Sequence, residues 1–325
     1  MDLKSENFFA QKEILKKRSM TFYDEDRAVE TLGNISYYKI KEFANPFAYR
    51  VNVDGAPDII NYQGVKFETI ISRYYQDKNF RIYLLHAIED IEVALQTRIA
   101  FVLGEATGEY GYLDFSLWVN RNKNNDYIET TKKEIIRNLK YQLSRNQTKE
   151  LEEKLLYGKN KEFPPVWLGI EMLMFGDLIK ILRLMSNKNL TAVSEYFNCS
   201  NKELISWVGA INLVRNISAH NSNLIDINLR TRPIILDDWK KYISINAHTN
   251  GYNNNKISII LLIVTHFMYH INPKYNFQNI HESVHKLVRD DKSAIYFGFK
   301  SEQKCAELFP IKLKKRISRN KNRAT

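Results

Sequence analysis

The sequence predicts a mainly α protein, a helical bundle with a small N-terminal helical unit and a C-terminal helical extension. Three observations carry that prediction. Only 12 Gly and 7 Pro punctuate 325 residues, too few for the many turns of a large sheet. Residues 80–101 place Leu84, Ala87, Ile88, Ile91, Leu95 and Ile99 at spacings of three and four, the mark of one apolar helix face. Residues 257–268 (ISIILLIVTHFM) form an apolar run shorter than the roughly 20 residues a bilayer span needs, which reads as a buried helix.

In chain order, residues 8–18 and 24–32 read as short helices. An aromatic, basic stretch follows at 37–50 (YYKIKEFANPFAYR), broken by Pro46, and 51–64 reads as a loop carrying Gly55, Pro57 and Gly64. The long helix dominates 65–103, with Arg81, Glu89, Glu92, Gln96 and Arg98 assigned to its other faces. Residues 104–111 interrupt it. Residues 127–157 are polar and Lys-rich, one or two exposed helices, and Phe163-Pro164-Pro165 is a firm break. Residues 166–185 resume as a single apolar helix, with Gly169 and Gly176 expected to permit close packing. Residues 200–219 form the next helix, with Asn198 or Ser200 as its N-cap. A loop-rich segment at 231–256 precedes helices at 257–271 and 278–290. The expected division is 1–64, 65–230 and 231–325, and the chain ends in a basic run at 312–323 expected to be disordered when free.

The 48 Lys+Arg against 37 Asp+Glu leave a formal charge of +11, which suits a polyanionic partner, nucleic acid first and an acidic membrane surface second. Phosphate contacts are expected from Lys39 and Arg50 in the aromatic block, and from Lys312, Lys314, Lys315, Arg316 and Arg319 in the tail. The two cysteines, Cys199 and Cys305, lie far apart without zinc-ligand spacing. With no signal-type apolar segment at the start, a reduced, cytoplasmic protein that does not insert into membranes is expected.

Residues 215–220 (RNISAH) collect a guanidinium, a carboxamide and an imidazole. RNA cleavage without a metal needs a base for the 2′-hydroxyl proton, an acid for the leaving 5′-oxygen and a fixed positive charge for the phosphate. His220 can transfer protons near neutrality, Arg215 can clamp phosphate, and Asn216 can orient either group. On a helical wheel Trp207, Ile211, Val214 and Ser218 share one face, while Asn212, Asn216 and His220 form a second stripe. Arg215 and His220 diverge by about 140° at roughly 100° per residue. One copy is therefore an awkward catalytic site, and two copies across a two-fold axis are expected to complete it. The same spacing recurs at Arg81 and His86, where apolar neighbours suggest surface charges flanking a core face. HESVH at 281–285 fits a zinc-protease pattern but lacks a clear third ligand, so a surface helix and no metal or cofactor are expected. His266 and His270 read as core or edge histidines satisfied by backbone partners.

Residues 206–224 (SWVGAINLVRNISAHNSNL) resemble the signature of Abi-like abortive-infection proteins of the AbiD/AbiF type, within the HEPN superfamily. Further blocks agree in order: 37–47 (YYKIKEFANPF), although 41–44 depart from the usual Ser-Gly-Tyr portion; 67–98, the long-helix block; and 165–178 (PVWLGIEMLMFGDL). The resemblance spans residues 8–225. It implies a HEPN-type helical bundle and an Arg-x4-His endoribonuclease site shared by a homodimer. It also implies attack by the 2′-hydroxyl that leaves a cyclic phosphate, and a role in toxin–antitoxin or anti-phage defence. Some such proteins are restrained by a small non-coding RNA, and the family resembles the RNA-guided type VI CRISPR nucleases. By motif position Arg215 and His220 are catalytic and Asn216 supports them. Glu171 is a motif residue without assigned chemistry.

Overall fold

A computed structural model describes residues 7–53, 56–146, 148–246 and 249–309, and they are mainly helical. The N-terminal part holds α1 (Phe8–Lys17), α2 (Glu25–Asn34) and α3 (Tyr37–Ala44). Asn7, Asp24 and Ser36 cap them, each accepting a backbone N–H of the first turn. Within the loop expected at 51–64, residues 51–53 and 56–61 are strand instead, while 62–64 turn as expected. β1 (Tyr49–Val53) and β2 (Ala56–Asn61) pair antiparallel, Arg50 opposite Ile60 and Val51 opposite Ile59, with an irregularity between Val51 and Val53. The β-branched residues on both arms outweigh the Gly and Pro that suggested a loop.

The bundle is organised by α4 (Phe67–Thr107), 41 residues and so about 60 Å long at 1.5 Å per residue. It passes through the expected interruption at 104 and stops at Gly108, whose φ of +77° suits glycine. Then come the exposed pair α5 (Asn125–Arg145) and α6 (Lys149–Tyr157), α7 (Val166–Glu171), α8 (Phe175–Leu184), α9 (Asn187–Tyr196) and α10 (Asn201–Ala219). The C-terminal part holds α11 (Ile257–Ile271), α12 (Gln278–Leu287), α13 (Asp291–Tyr296) and α14 (Glu302–Glu307). Helix α4 packs against α3 and against α7 through α12, so it is the axis of the core.

The single helix expected at 166–185 is two. The chain breaks between α7 and α8, and Gln96 on α4 donates its Nε2 to the freed carbonyls of Glu171 (3.0 Å) and Leu173 (3.3 Å). Gly169 permits close packing as expected: a Cβ there would lie 2.5 Å from the Tyr112 hydroxyl. Gly176 does not, since a Cβ there would meet nothing within 4 Å. Helix α12 ends at Leu287 rather than 290, because Asp290 starts α13 through a capping box with Ser293. The basic tail residues Lys312, Lys314, Lys315, Arg316 and Arg319 lie outside the described residues. No helix among the described residues is long and apolar enough to cross a membrane.

Candidate active site

Helix α10 begins with a capping box: Ser200 accepts the N–H of Glu203, and the Glu203 carboxylate accepts that of Ser200. Trp207, Ile211, Val214 and Ser218 are buried, as the wheel requires. Behind them His266 stands edge-on to Trp207 and Trp239 and hydrogen-bonds the Phe197 carbonyl through Nε2 at 2.8 Å. His270 Nδ1 meets the His266 carbonyl at 2.9 Å, so both histidines have the expected backbone partners. Burial lowers the pKa of His266, which keeps the ring neutral.

The motif occupies the last turn of α10. Asn216 and His220 are exposed, and Arg215 is half-buried. The Arg215 guanidinium reaches back to α4, where Glu92 Oε2 lies 3.7 Å from its Nε. The Glu92 side chain is only 15% exposed. Burial pushes its carboxyl above the usual carboxylate range, opposed by Arg215 and by a hydrogen bond from the Phe175 backbone at the start of α8. Sequence reasoning places Glu92 on an outer face of α4 and so misses it. Its signal is present nonetheless, because Glu92 stands four residues from Ile88 and three from Leu95, inside the apolar arc.

His220 is the C-cap residue, and its N–H donates to the Asn216 carbonyl at 3.0 Å. Asn221 follows in the left-handed region at φ +55°. Its N–H donates to the Ser218 carbonyl (3.4 Å), and that of Ser222 to the Ile217 carbonyl (3.0 Å), the paired bonds of a Schellman turn. That turn is held from α4 by Arg81, whose Nη1 donates to the Ser218 carbonyl and to Asn221 Oδ1, both at 3.2 Å. Arg81 Nε also donates to Asp77 at 2.6 Å, and Asp77 accepts the N–H groups of Leu224 (2.9 Å) and Ile225 (3.0 Å).

This corrects the reading of Arg81 as a surface charge, whereas His86 is exposed as expected. Arg81 is 3% exposed and Asp77 0%, a buried pair that fixes the chain on both sides of the motif's exit turn. Burial pushes the Asp77 carboxyl up, while Arg81 and the two backbone donors oppose it. His86 meets the Tyr275 hydroxyl at 2.9 Å through Nδ1. Beyond the turn, the Asn223 N–H donates to Glu42 on α3 (3.4 Å). Asp226 pairs with Arg73 on α4 and accepts from the Tyr296 hydroxyl on α13 at 2.7 Å.

Glu171 is exposed at the end of α7. It rims a groove of about 650 Å³ between α4 and α7 that also exposes Val93, Phe101 and Trp167. Lys39 pairs with Glu42 at 2.9 Å, whereas Arg50 is exposed and donates to Asn45 Oδ1 at 2.9 Å. In HESVH, His281 and His285 stack nearly parallel with centroids 6.1 Å apart, and Glu282 accepts from Gln278 at 2.9 Å. Among the described residues no three His, Cys, Asp or Glu side chains are placed to hold a metal ion. Both thiols are free, and burial pushes each up to about 12.

The end of α10 thus carries an exposed imidazole, a half-buried guanidinium and an exposed carboxamide. Compared with known families, residues 30–226 match the family described as Abi-like protein. No curated protein and no solved structure gives a match. The matched segment runs from within α2 to Asp226, and so includes α4 with Asp77, Arg81 and Glu92 and all of the motif helix.

Proposed function

The chain belongs to the Abi-like protein family, a function of abortive-infection type, and from that premise we propose that it is a HEPN endoribonuclease. The observation that carries the proposal is the placement of Arg215, Asn216 and His220 on the final turn of one helix, with a partly buried acid behind the arginine. In this reading His220 takes the 2′-hydroxyl proton or delivers one to the leaving 5′-oxygen, and Arg215 offsets charge on the phosphate. Asn216 orients them. The 2′-oxygen forms a bond to phosphorus as the bond to the 5′-oxygen breaks, leaving a 2′,3′-cyclic phosphate and a free 5′-hydroxyl.

One copy offers one proton-transfer group, and its arginine leans toward Glu92. Two copies facing each other would present two histidines, one as base and one as acid, so the active species is proposed to be a homodimer. The target is RNA, and a small RNA that occupies the site would serve as antitoxin.

The test is induced expression of wild type, Arg215→Ala and His220→Ala, read as growth arrest and as cyclic-phosphate ends on cellular RNA. Wild type should arrest growth and leave such ends, and both variants should do neither. Equal toxicity in all three would sink the catalytic account. A second reading, an RNA-binding module with little cleavage, rests on the engagement of Arg215 by Glu92. It is favoured if RNA co-purifies with wild type and no cyclic-phosphate ends form.

A further inference from the structure

Away from the motif, the N-terminal unit gathers cations that lack acids. Arg18 follows α1, and its Nη1 donates to the Tyr37 hydroxyl on α3 at 2.9 Å. Its backbone carbonyl accepts the N–H of Tyr62 at 2.7 Å. Lys41, one turn along α3, holds its Nζ 5.6 Å from the Tyr37 ring centroid and 5.7 Å from that of Tyr38. Arg50 leaves β1 on the same side, tethered to Asn45. Among the described residues none of the three cations has a carboxylate within 4.0 Å, whereas Lys12, Lys16 and Lys39 nearby are paired with Glu25, Glu25 and Glu42. Burial lowers the pKa of Lys41, and so do Arg18 and Arg50, as neighbouring cations must.

Like charges gathered together repel one another, and a bound anion would relieve that repulsion. The surroundings narrow that anion's class. Tyr38 is 78% exposed and offers a flat ring to solvent beside Lys41. A cavity of about 390 Å³ opens between Pro46–Tyr49 and Gln63–Val65, with Tyr62 in its wall. Cations that follow a phosphate chain, set among open aromatic faces, are how proteins hold unpaired nucleotides. A lipid headgroup would use the charges and leave the ring without a role.

We infer that Arg18, Lys41 and Arg50, with Tyr38, form a binding site for single-stranded RNA separate from the motif helix. The site binds backbone phosphates through the three cations and stacks a base on Tyr38. It selects single strands over duplex because paired bases cannot reach the ring. It stands whether or not the Arg215 site cleaves RNA.

The test uses the full chain with His220→Ala, so that the probe stays intact, and the anisotropy of a fluorescein-labelled 12-nucleotide single-stranded RNA. Lys41→Gln with Arg50→Gln should raise Kd about tenfold in 0.1 M salt. The slope of log affinity against log salt should fall by about 1.4, at roughly 0.7 for each phosphate no longer neutralised. Tyr38→Ala should weaken binding several-fold and Tyr38→Phe should restore it. Lys16→Gln, whose lysine is already paired with Glu25, should change nothing. Circular dichroism and melting confirm that each variant is folded, and Arg50→Lys should recover most of the affinity. Several outcomes would overturn the inference: an unchanged slope in the double variant, an equal loss with Lys16→Gln, or binding to the matching duplex as tight as to the single strand. Loss of binding to phosphatidylserine vesicles with RNA affinity intact would also overturn it.

Discussion

Arg81→Met tests the idea that the motif's position is set from α4. The substitution keeps the volume of the stem and removes three hydrogen bonds: those to Asp77, to the Ser218 carbonyl and to Asn221. It leaves Asp77, fully buried, with two backbone donors and no cation. Breaking a buried pair from one side costs about 3–5 kcal/mol, because the stranded charge keeps its desolvation penalty. At about 2.1 cal/mol/K of unfolding entropy per residue, the 325-residue chain melts about 4–7 °C lower. Asp77→Asn keeps an acceptor for Leu224 and Ile225, so its cost is about 2 kcal/mol and its shift about 3 °C. Thermal melts of the full chain give the first reading, and amide exchange at Leu224 and Ile225 gives the second. Exchange should quicken at both amides in Arg81→Met, and at His220 as the turn loosens. A melt within about 1 °C of wild type, or unchanged protection at those amides, would refute the clamp. Asn221→Gly is the companion variant. It suits φ +55° and deletes only the side-chain contact with Arg81, so its melt should move less than half as far.

Glu92→Gln removes the charge that draws the Arg215 guanidinium to α4. If Glu92 orients that group, RNA cleavage by the variant should fall about tenfold or more with KM nearly unchanged, and an equal loss in KM would argue for simple weakening of the fold. Because the folded pKa of His266 lies below its ordinary 6.5, the unfolded chain binds more protons below that pH. The stability from His266 is therefore complete above pH 6.5 and declines as the pH falls toward the folded pKa. Denaturant midpoints at pH 8 and pH 5.5 should differ less in His266→Gln than in wild type. Gly169→Ala should cost about 1–3 kcal/mol, because its Cβ drives into a buried Tyr112 hydroxyl bonded to Pro164, whereas Gly176→Ala should be neutral or slightly stabilising. Equal melting shifts for the two would contradict the packing described.

The long helix shows what the sequence makes legible and where reading by residue type fails. Asp77, Arg81, Leu84, Ile88, Ile91, Leu95 and Ile99 follow one another at spacings of four and three, and every one is buried. The periodicity is plain. Two charged members on the same stripe contradict the habit of sending charge to the surface, and that habit assigns Arg81 to an outer face. A charge in register with an apolar stripe signals a partner rather than an exception, and the partner stands four residues away. The hairpin at β1 and β2 is legible in the same sense, since Asp54-Gly55 stands between β-branched runs, a strong sequence signal for a tight turn. What the sequence could not supply is the meeting of distant parts. That Glu92 on α4 faces Arg215 on α10, or that Arg18 and Lys41 converge from different parts of the chain, follows from packing that no local pattern encodes.

The placement of the motif at a helix end bears on how an Arg-x4-His pair can act. Within an unbroken helix five residues advance about 7.5 Å and turn the side chains about 140° apart, and no backbone freedom remains to reunite them. At the C-cap His220 leaves the helical run, with ψ at +15°, so its direction depends on the turn that follows. That turn is the one Arg81 and Asp77 hold. The guanidinium leans on one carboxylate of α4, and the turn that follows His220 is held by an ion pair eleven residues earlier on the same helix. If α4 fixes both, the two groups keep a constant relation to each other and to the outer surface of the bundle, which is what a second copy or a bound RNA would need to meet. A motif in mid-helix would need no such anchoring, and a motif in a free loop would receive none.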